Sequence, residues 1–169
     1  MGIYASFFNI LRSMNFKDPR WNQYLIEFHI TRDYYACHDY LEQWWFELGN
    51  PKNHLLMAFI MLAVSCYHYR ADNLKGARIL LDKATPIFES NGNLIGNYGI
   101  DQQALFKSID HLKSELCHYR PFVDINLVFL DETISDNLLE YANQHHLTLY
   151  APSDLHNLHL IHKHKFKHR

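Results

Sequence analysis

Four side chains in the first half of the chain have types and spacing that could support chemistry. His38, Glu42 and Trp45 follow one another at intervals of four and three residues, which places all three on one face of an α-helix. His68 comes directly after a long apolar run. An imidazole beside a carboxylate can bind a ligand, hold a metal ion or transfer a proton. We therefore take His38, Glu42, Trp45 and His68 as the candidate ligand-binding residues.

The same residues do not complete a recognised metal or cofactor site. A His and a Glu four residues apart on a helix can chelate a metal ion, but a stable site needs a third ligand. The metalloprotease pattern HExxH is missing, because Asp39 follows His38 and Glu42 takes the place of the second histidine. The chain also lacks the phosphate-loop, dinucleotide-binding and GxSxG fingerprints. The cofactor and any catalytic residues therefore stay unknown, and no metal site is assigned.

Three interpretations of His38 and Glu42 remain open. The two side chains could form a hydrogen-bonded pair that fixes how two helices dock, they could bind a ligand together with His68, or they could perform acid–base catalysis. Their helix face also carries Tyr34 and Leu41. We therefore expect His38 and Glu42 to lie close together and largely buried, with His68 nearby.

Cap residues and apolar spacing predict the helices that position these side chains. Asp18-Pro19 starts the first helix, and Asp33 starts a second that Gly49 ends. Asn50-Pro51 starts a third, which runs to about Arg70. This third helix is apolar on nearly every side, so it belongs at the centre of the bundle.

The pattern continues through two more helices. Asn73 starts the fourth, and Pro86 is expected to kink or divide it near Ala84. Asp101 starts the fifth, which Pro121 ends. In the third helix, a small residue at the centre of an apolar surface, Ala63, predicts a close helix crossing.

The two ends of the chain differ from this helical middle. Residues 1–17 are expected to form a short amphipathic lead-in. Residues 125–130 and 147–150 have the composition of short strands, and Ser135 could cap a helix between them. We divide the chain into a helical bundle core, 1–122, and a C-terminal appendage with a basic, histidine-rich tail, 123–169, in the same domain. The part beyond Tyr150 is polar, and we expect it to be dispensable for folding.

Composition limits the class of protein. Of the 169 residues 48% are hydrophobic and 15% aromatic, which suffices for a thick core in a single domain. The net charge of -2 gives no electrostatic reason to expect nucleic acid or an acidic membrane as partner. The 3 cysteines have no CxxC spacing, which favours a reducing cytoplasm. The longest apolar run, Leu55 to Tyr67, is too short to span a bilayer.

Two blocks of the sequence resemble a known family. The run Arg32-Asp-Tyr-Tyr35 followed by His38, Glu42 and Trp45 resembles the signature aromatic-x-x-His-acidic-x-x-Glu-x-x-Trp of the bacterial and archaeal family called domain of unknown function 309. The family's second block is matched in order and approximate spacing by Leu62-Ala63, Tyr67-His68, Asn73 and Gly76-Ala77. The resemblance covers roughly Tyr24 to Phe122. It implies an all-α bundle of about five helices and no particular activity. Met61 stands where the family's pattern leads us to expect a glutamine, so a polar cluster built on that glutamine would be incomplete here.

The sequence therefore predicts an all-α, single-domain helical bundle that is soluble and cytoplasmic. Its predicted function is that of a non-enzymatic module that binds a protein or small ligand through the surface around helices two to four. The alternative is a metal-dependent or acid–base hydrolase-type enzyme centred on His38, Glu42 and His68. A helical-repeat scaffold is a third interpretation, against which the missing tetratricopeptide pattern counts.

Overall fold

A computed structural model describes residues 17–166 of the chain. Within these residues the protein is built from α-helices, turns and irregular segments and contains no strand. The prediction of an all-α bundle is thereby confirmed. The predicted amphipathic lead-in falls almost entirely on residues 1–16, which lie outside the described residues together with 167–169.

The first helix, α1, spans Pro19–Ile26 and begins where the sequence predicts. The Asp18 carboxylate caps it by accepting a hydrogen bond of 2.9 Å from the backbone N–H of Arg20. A π-helical turn, Glu27–Thr31, continues α1 directly. Arg32 then takes a left-handed backbone conformation with φ of 57° and ends the turn. Such a conformation is uncommon for a residue other than glycine, so position 32 must be held by its surroundings.

Helix α2, Tyr34–Glu47, carries three of the four candidate residues and has the predicted bounds to within a residue. The Asp33 carboxylate accepts a hydrogen bond of 2.9 Å from the backbone N–H of Ala36, as an N-cap should. Gly49 follows the helix with φ of 83°, the left-handed conformation in which glycine commonly stops a helix.

Helix α3, Leu55–Arg70, starts later than Asn50-Pro51 would place it, so that predicted start was wrong. Asn50 has φ of 57° and therefore turns the chain instead of capping a helix. The indole N–H of Trp45 donates to the carbonyl oxygen of Pro51 at 2.9 Å and holds this turn against the end of α2. The cap is His54, whose Nδ1 accepts from the backbone N–H of Leu56 at 3.2 Å.

The apolar surface of α3 lies at the centre of the core, as its sequence predicts. Phe59 is fully buried, and its ring lies 4.8 Å from that of Trp21 on α1 and 5.0 Å from that of Phe88. Ala63 and Leu62 have no exposed surface. Because aromatic pairs at these distances attract one another beyond their burial, this cluster fixes the packing of α1 on α3.

Helix α4, Leu74–Ser90, begins at the Asn73 cap and contains Pro86 without a break. Of the two predicted effects of Pro86, a kink or a division near Ala84, the division was wrong. A proline removes one backbone hydrogen bond and disturbs one turn, and here that turn lies close to the end of the helix. The hydroxyl of Thr85 donates to the carbonyl oxygen of Leu81 at 2.7 Å and satisfies a neighbouring backbone group.

Short turns connect α4 to the next long helix. They are α5, Gly92–Ile95, and a 3-10 turn, Gly96–Tyr98. Helix α6, Gln102–Cys117, starts at the predicted Asp101 cap and ends four residues before Pro121. It buries the predicted apolar repeat of Leu105, Ile109, Leu112 and Leu116.

The predicted β-α-β appendage was wrong. Between residues 17 and 166 the nearest approach to a sheet is one isolated bridge, Ile100 to Phe129. The apolar residues Ile125 and Leu127 are buried, but their backbone groups bond to the side chains of Arg32 and His29 instead of to a second strand. The apolar composition of this segment therefore indicated burial without sheet pairing.

The C-terminal part is helical in three places. Helix α7 spans Glu132–Gln144 and is capped by Asp131, four residues before the predicted Ser135. Two short helices follow, α8 at Leu158–Ile161 and α9 at Lys163–Phe166. Over the described stretch, none of the helices combines the length and the apolar character that crossing a membrane requires.

Candidate functional site

His38 and Glu42 are neighbours on α2, but they lie at the surface. His38 Nε2 is 3.4 Å from a carboxylate oxygen of Glu42, so the predicted proximity is confirmed. Their side chains are 29% and 47% exposed, so the predicted burial was wrong. The reason is the exact position of the apolar stripe on α2. The buried residues are Tyr34, Cys37, Leu41 and Trp44, and His38 and Glu42 each stand one position beyond that stripe.

His68 belongs to the same surface, at the end of α3. Its ring is half-buried, and its Nδ1 lies 3.0 Å from the side-chain amide nitrogen of Asn73. Burial lowers the pKa of His68, and the nearby His164 lowers it further. His68 is connected to His38 through two tyrosine rings, since Tyr35 packs on His38 at 6.0 Å and on Tyr67 at 5.5 Å. We call Tyr35, His38, Glu42, Tyr67 and His68 the signature face.

The signature face does not assemble a metal site. Among residues 17–166 no group of three or more His, Cys, Asp or Glu side chains is placed to hold a metal ion. The two histidines are separated by tyrosine rings, and Glu42 is the partner of one of them alone. The arrangement therefore does not resemble a coordination sphere. It brings polar and aromatic groups together in a way that could suit a binding surface.

Trp45 has a local structural role. Its half-buried indole bonds to Pro51, as described above, and so fixes the connection between α2 and α3. The neighbouring Trp44 is the core residue of the pair, with the Arg20 guanidinium 5.2 Å above its ring. Of the four predicted ligand-binding residues, Trp45 is therefore the one whose contacts give it a structural role instead.

The C-terminal segment touches the edge of the signature face. The hydroxyl of Tyr67 pairs with the His164 ring and also accepts a hydrogen bond of 3.3 Å from the backbone N–H of His164. Lys163 forms an ion pair with Asp33, the cap of α2. Part of this face is thus covered by the chain itself.

A buried polar cluster lies behind the signature face, and sequence reasoning missed it. At its centre is Arg32, which is 2% exposed. Its guanidinium donates to the carbonyl oxygens of Phe28 and Ala151, each at 2.8 Å, and to the side-chain oxygen of Asn126 at 2.8 Å. These bonds join the end of α1 to two segments that are far away in sequence. They also explain the left-handed backbone at position 32, because the bonds outweigh its strain.

Arg70, at the end of α3, is the second buried cation of the cluster. Its guanidinium donates to the carbonyl oxygens of Arg32 at 2.6 Å and of Leu160 at 3.0 Å, and to the hydroxyl of Ser153 at 3.0 Å. The group also lies 4.9 Å above the ring of Tyr34, in the geometry of a cation–π contact.

Asp124 supplies the negative charge of the cluster. Its carboxylate accepts hydrogen bonds of 2.6 Å from the Tyr34 hydroxyl and from both the backbone N–H and the hydroxyl of Ser153. The Arg32 Nε lies 3.9 Å from the same carboxylate. We call Arg32, Arg70, Asp124, Tyr34 and Ser153 the arginine cluster. Because buried polar groups favour the arrangement of the chain that satisfies their hydrogen bonds, its task is to pin the C-terminal segment to the bundle.

The arginine cluster makes part of the C-terminal region a component of the fold. Ala151, Ser153 and Leu160 provide oxygen atoms to two buried guanidinium groups. Removing them would leave buried donors without acceptors, which is costly. These contacts argue against the expectation that everything beyond Tyr150 is dispensable for folding.

His29 is a further buried group that the sequence did not single out. It has no exposed surface, and its Nε2 accepts a hydrogen bond of 3.2 Å from the backbone N–H of Leu127. Burial, and then the charge of Arg32, lower the pKa of His29 to about 3. His29 is thus a neutral link between α1 and the C-terminal segment.

Comparison with known proteins matches this region to a family. A family model described as "Domain of unknown function (DUF309)" matches residues 21–80, which contain most of α1, the whole of α2 and α3, the start of α4 and the whole signature face. Uncharacterized protein YpuF of Bacillus subtilis (strain 168) is 32% identical over 148 residues, covering 86% of this chain and 84% of that protein. No solved structure matches the chain. On the strength of the family match and the relative that spans most of its length, the chain belongs to the domain of unknown function 309 family.

Proposed function

We propose that the protein is a non-enzymatic binding module that recognises a partner protein through its signature face. The observation that supports this most is the position of the His38–Glu42 pair on the solvent side of the α2 stripe. A half-exposed pair of this kind contributes little to stability. Its groups are therefore better explained by contact with something outside the chain than by helix docking.

The chemistry beside Glu42 indicates what kind of partner fits. A shallow groove of about 470 Å³ runs along the outer side of α2 and is bordered by Asp39, Glu42, Gln43, Phe46 and Glu47. Phe46 is 64% exposed at its floor. An exposed aromatic ring surrounded by carboxylates suits a segment that carries an apolar side chain next to lysine or arginine. The proposed partner is a protein with such a basic, apolar segment.

The enzyme alternative has less support. The His38–Glu42 pair stands on a helix surface open to solvent, whereas acid–base catalysis works best in an enclosed site that excludes water. The described residues also bring no third metal ligand to this pair. A metal-dependent or acid–base hydrolase centred on His38, Glu42 and His68 is therefore not our proposal.

We infer a cytoplasmic location from the state of the cysteines. Cys37 and Cys66 are free and buried in the core. Burial raises the pKa of the Cys66 thiol to about 12, and that of Cys37 well above its usual value. Such thiols act as small apolar side chains, and a core of this type needs no oxidising compartment.

Site-directed photocrosslinking in living cells tests the proposed function. A photoreactive amino acid replaces Gln43 on the groove, and in a matched control it replaces the exposed Lys107 on α6. We expect a discrete protein adduct from position 43 that His38→Ala with Glu42→Gln suppresses. Equal adducts from both positions, or an adduct that the double variant leaves unchanged, would contradict the proposal.

A further inference from the structure

A second cleft lies on another side of the molecule, away from the α2 groove. It is enclosed by the end of α3, the segment that follows α6, and the C-terminal segment. Its volume is about 360 Å³, and its walls include Tyr69, Arg70, Arg120, Phe122 and Leu155. That volume is within the range of cavities that bind small molecules.

Arg70 brings an incompletely partnered positive charge to the wall of this cleft. The residue is only 6% exposed, and the acceptors of its hydrogen bonds are two backbone carbonyls and a hydroxyl, all neutral. Its Nε is buried without any acceptor. None of the ion pairs in the described part of the chain includes Arg70. A buried guanidinium with neutral partners alone retains most of its desolvation cost.

The charge balance of the arginine cluster leads to the same conclusion. Arg32 and Arg70 contribute two buried positive charges, and Asp124, next to Arg32, contributes a buried negative charge. Asp124 and Asp33 also attract Arg70 electrostatically, but neither carboxylate forms an ion pair with it. Burial lowers the pKa of Arg70 against the opposing attraction of these carboxylates. An anion in the cleft would add a further negative charge beside Arg70.

The rim provides a second cation and an apolar wall. The carbonyl oxygen of Arg120 accepts a hydrogen bond of 2.7 Å from the Tyr69 hydroxyl, which fixes the backbone at position 120 and leaves the guanidinium exposed at the mouth. The rings of Tyr69 and Phe122 meet edge to face at 5.4 Å, and Leu155 stands opposite with half of its surface exposed. Asp72 also borders the cleft, so a bound anion is expected beside the two arginines and not beside Asp72.

We propose that this cleft is a binding site for a small aromatic or aliphatic carboxylate. Arg120 would bond directly to the carboxylate, Arg70 provides a buried positive charge behind it, and Phe122 and Leu155 contact the apolar part. This site is independent of the signature face and of the proposed partner protein.

Titration of the full chain with 3-phenylpropionate, followed by amide chemical shifts in NMR spectra, tests the site. We expect saturable shifts in residues 69–72 and 119–122. The neutral 3-phenylpropionamide should bind about tenfold more weakly or worse, because it lacks the charge. Inorganic phosphate should also bind more weakly, because it lacks the apolar part. Equal binding of acid and amide, equal binding of phosphate, or no saturation by about 10 mM ligand would overturn the proposal.

A pair of exposed variants separates the site from general charge effects. Arg120→Gln should weaken 3-phenylpropionate binding by about fivefold or more, whereas Lys107→Gln, which removes the same charge elsewhere on the surface, should leave it unchanged. Both residues are exposed, so neither variant endangers the fold. If the two variants bind the ligand equally well, the carboxylate does not depend on Arg120 and the proposal fails.

Discussion

The Arg32 guanidinium donates a hydrogen bond of 2.8 Å to the carbonyl oxygen of Ala151, a residue 119 positions further along the chain. Arg32 belongs to the family's signature run, whereas Ala151 lies beyond the region that the family model covers. The contact therefore gives the first residue of that run, three positions before the aromatic residue of the signature, a task in folding. His38 and Glu42, a few residues later, lie at the surface.

Arg32→Met should destabilise the protein by about 3 kcal/mol, because it leaves several buried carbonyl oxygens without their donor and removes the positive charge beside the Asp124 carboxylate. The methionine keeps the apolar stem of the side chain, so the loss reports the guanidinium. Urea unfolding monitored by tryptophan fluorescence measures it. The matched control is Arg78→Met, which removes an exposed guanidinium that donates to Leu116 at 3.1 Å. We expect Arg78→Met to lower the free energy of unfolding by less than about 1 kcal/mol. Equal losses of stability in Arg32→Met and Arg78→Met would contradict the role given to Arg32.

Truncation after Tyr150 should abolish cooperative unfolding, since it removes the acceptors that Ala151, Ser153 and Leu160 give to the buried arginines. Truncation after His162 keeps those acceptors and the buried Ile161. It loses the contacts of His164 with the Tyr67 hydroxyl and the partly exposed ion pair between Lys163 and Asp33, which contributes about 1 kcal/mol or less. Circular dichroism during heating distinguishes the two. A chain ending at Tyr150 that melts as sharply as the full chain would refute this prediction.

His29 should make the protein sensitive to acid. Its pKa is lowered to about 3 in the folded state, whereas the unfolded chain takes up the proton near pH 6.5. Above about pH 6.5, His29 is neutral in both states and does not reduce the free energy of unfolding. As the pH falls from 6.5 toward 3, the free energy of unfolding decreases, because only the unfolded state takes up the proton. By pH 5 the loss is about 2 kcal/mol.

The comparison for His29 is the variant His29→Gln, whose amide oxygen can still accept from Leu127 but does not titrate. The free energies of unfolding of the two proteins are measured from pH 5 to 8. We expect the difference between wild type and variant to shift against the wild type as the pH falls. A difference that stays constant over this range would show that His29 is protonated as easily in the folded state as in the unfolded one.

Ala63→Leu should cost about 1–3 kcal/mol by overpacking, because Ala63 has no exposed surface at the centre of α3. Thermal unfolding measures the effect, and Val64→Leu on the half-buried side of α3 is the control. An unchanged melting temperature for Ala63→Leu would exclude the close crossing.

The helices could be predicted from the sequence because their signals are local. Asp18, Asp33, Asn73 and Asp101 each cap the helix that they precede, and each cap depends on a bond within three residues. The start of α3 was missed because Asn50-Pro51 has the local pattern of a helix start, while the contact from Trp45 that turns the chain there is tertiary. The strands were mispredicted because an apolar composition shows which residues tend to be buried and not what their backbone groups bond to.

The candidate site was only partly predictable, for a similar reason. Spacing on a helix predicts that His38 and Glu42 are neighbours, but a shift of one position relative to the apolar stripe decides whether they are buried. The arginine cluster could not be predicted, because Ala151 and Leu160, which accept from Arg32 and Arg70, lie 119 and 90 residues away along the chain. The one local indication of the cluster in the sequence is Arg70, a charged residue at the end of an otherwise apolar helix.

The central claim is that the signature run has two parts: Arg32 stabilises the fold, whereas His38 and Glu42 are not needed for it and serve the partner contact that we propose. The most direct measurement is the free energy of unfolding of His38→Ala beside that of Arg32→Met in the same urea assay. We predict a change within about 0.5 kcal/mol for His38→Ala and a loss of about 3 kcal/mol for Arg32→Met. A His38→Ala variant that loses as much stability as Arg32→Met would contradict the account, because the imidazole would then be needed for the fold itself.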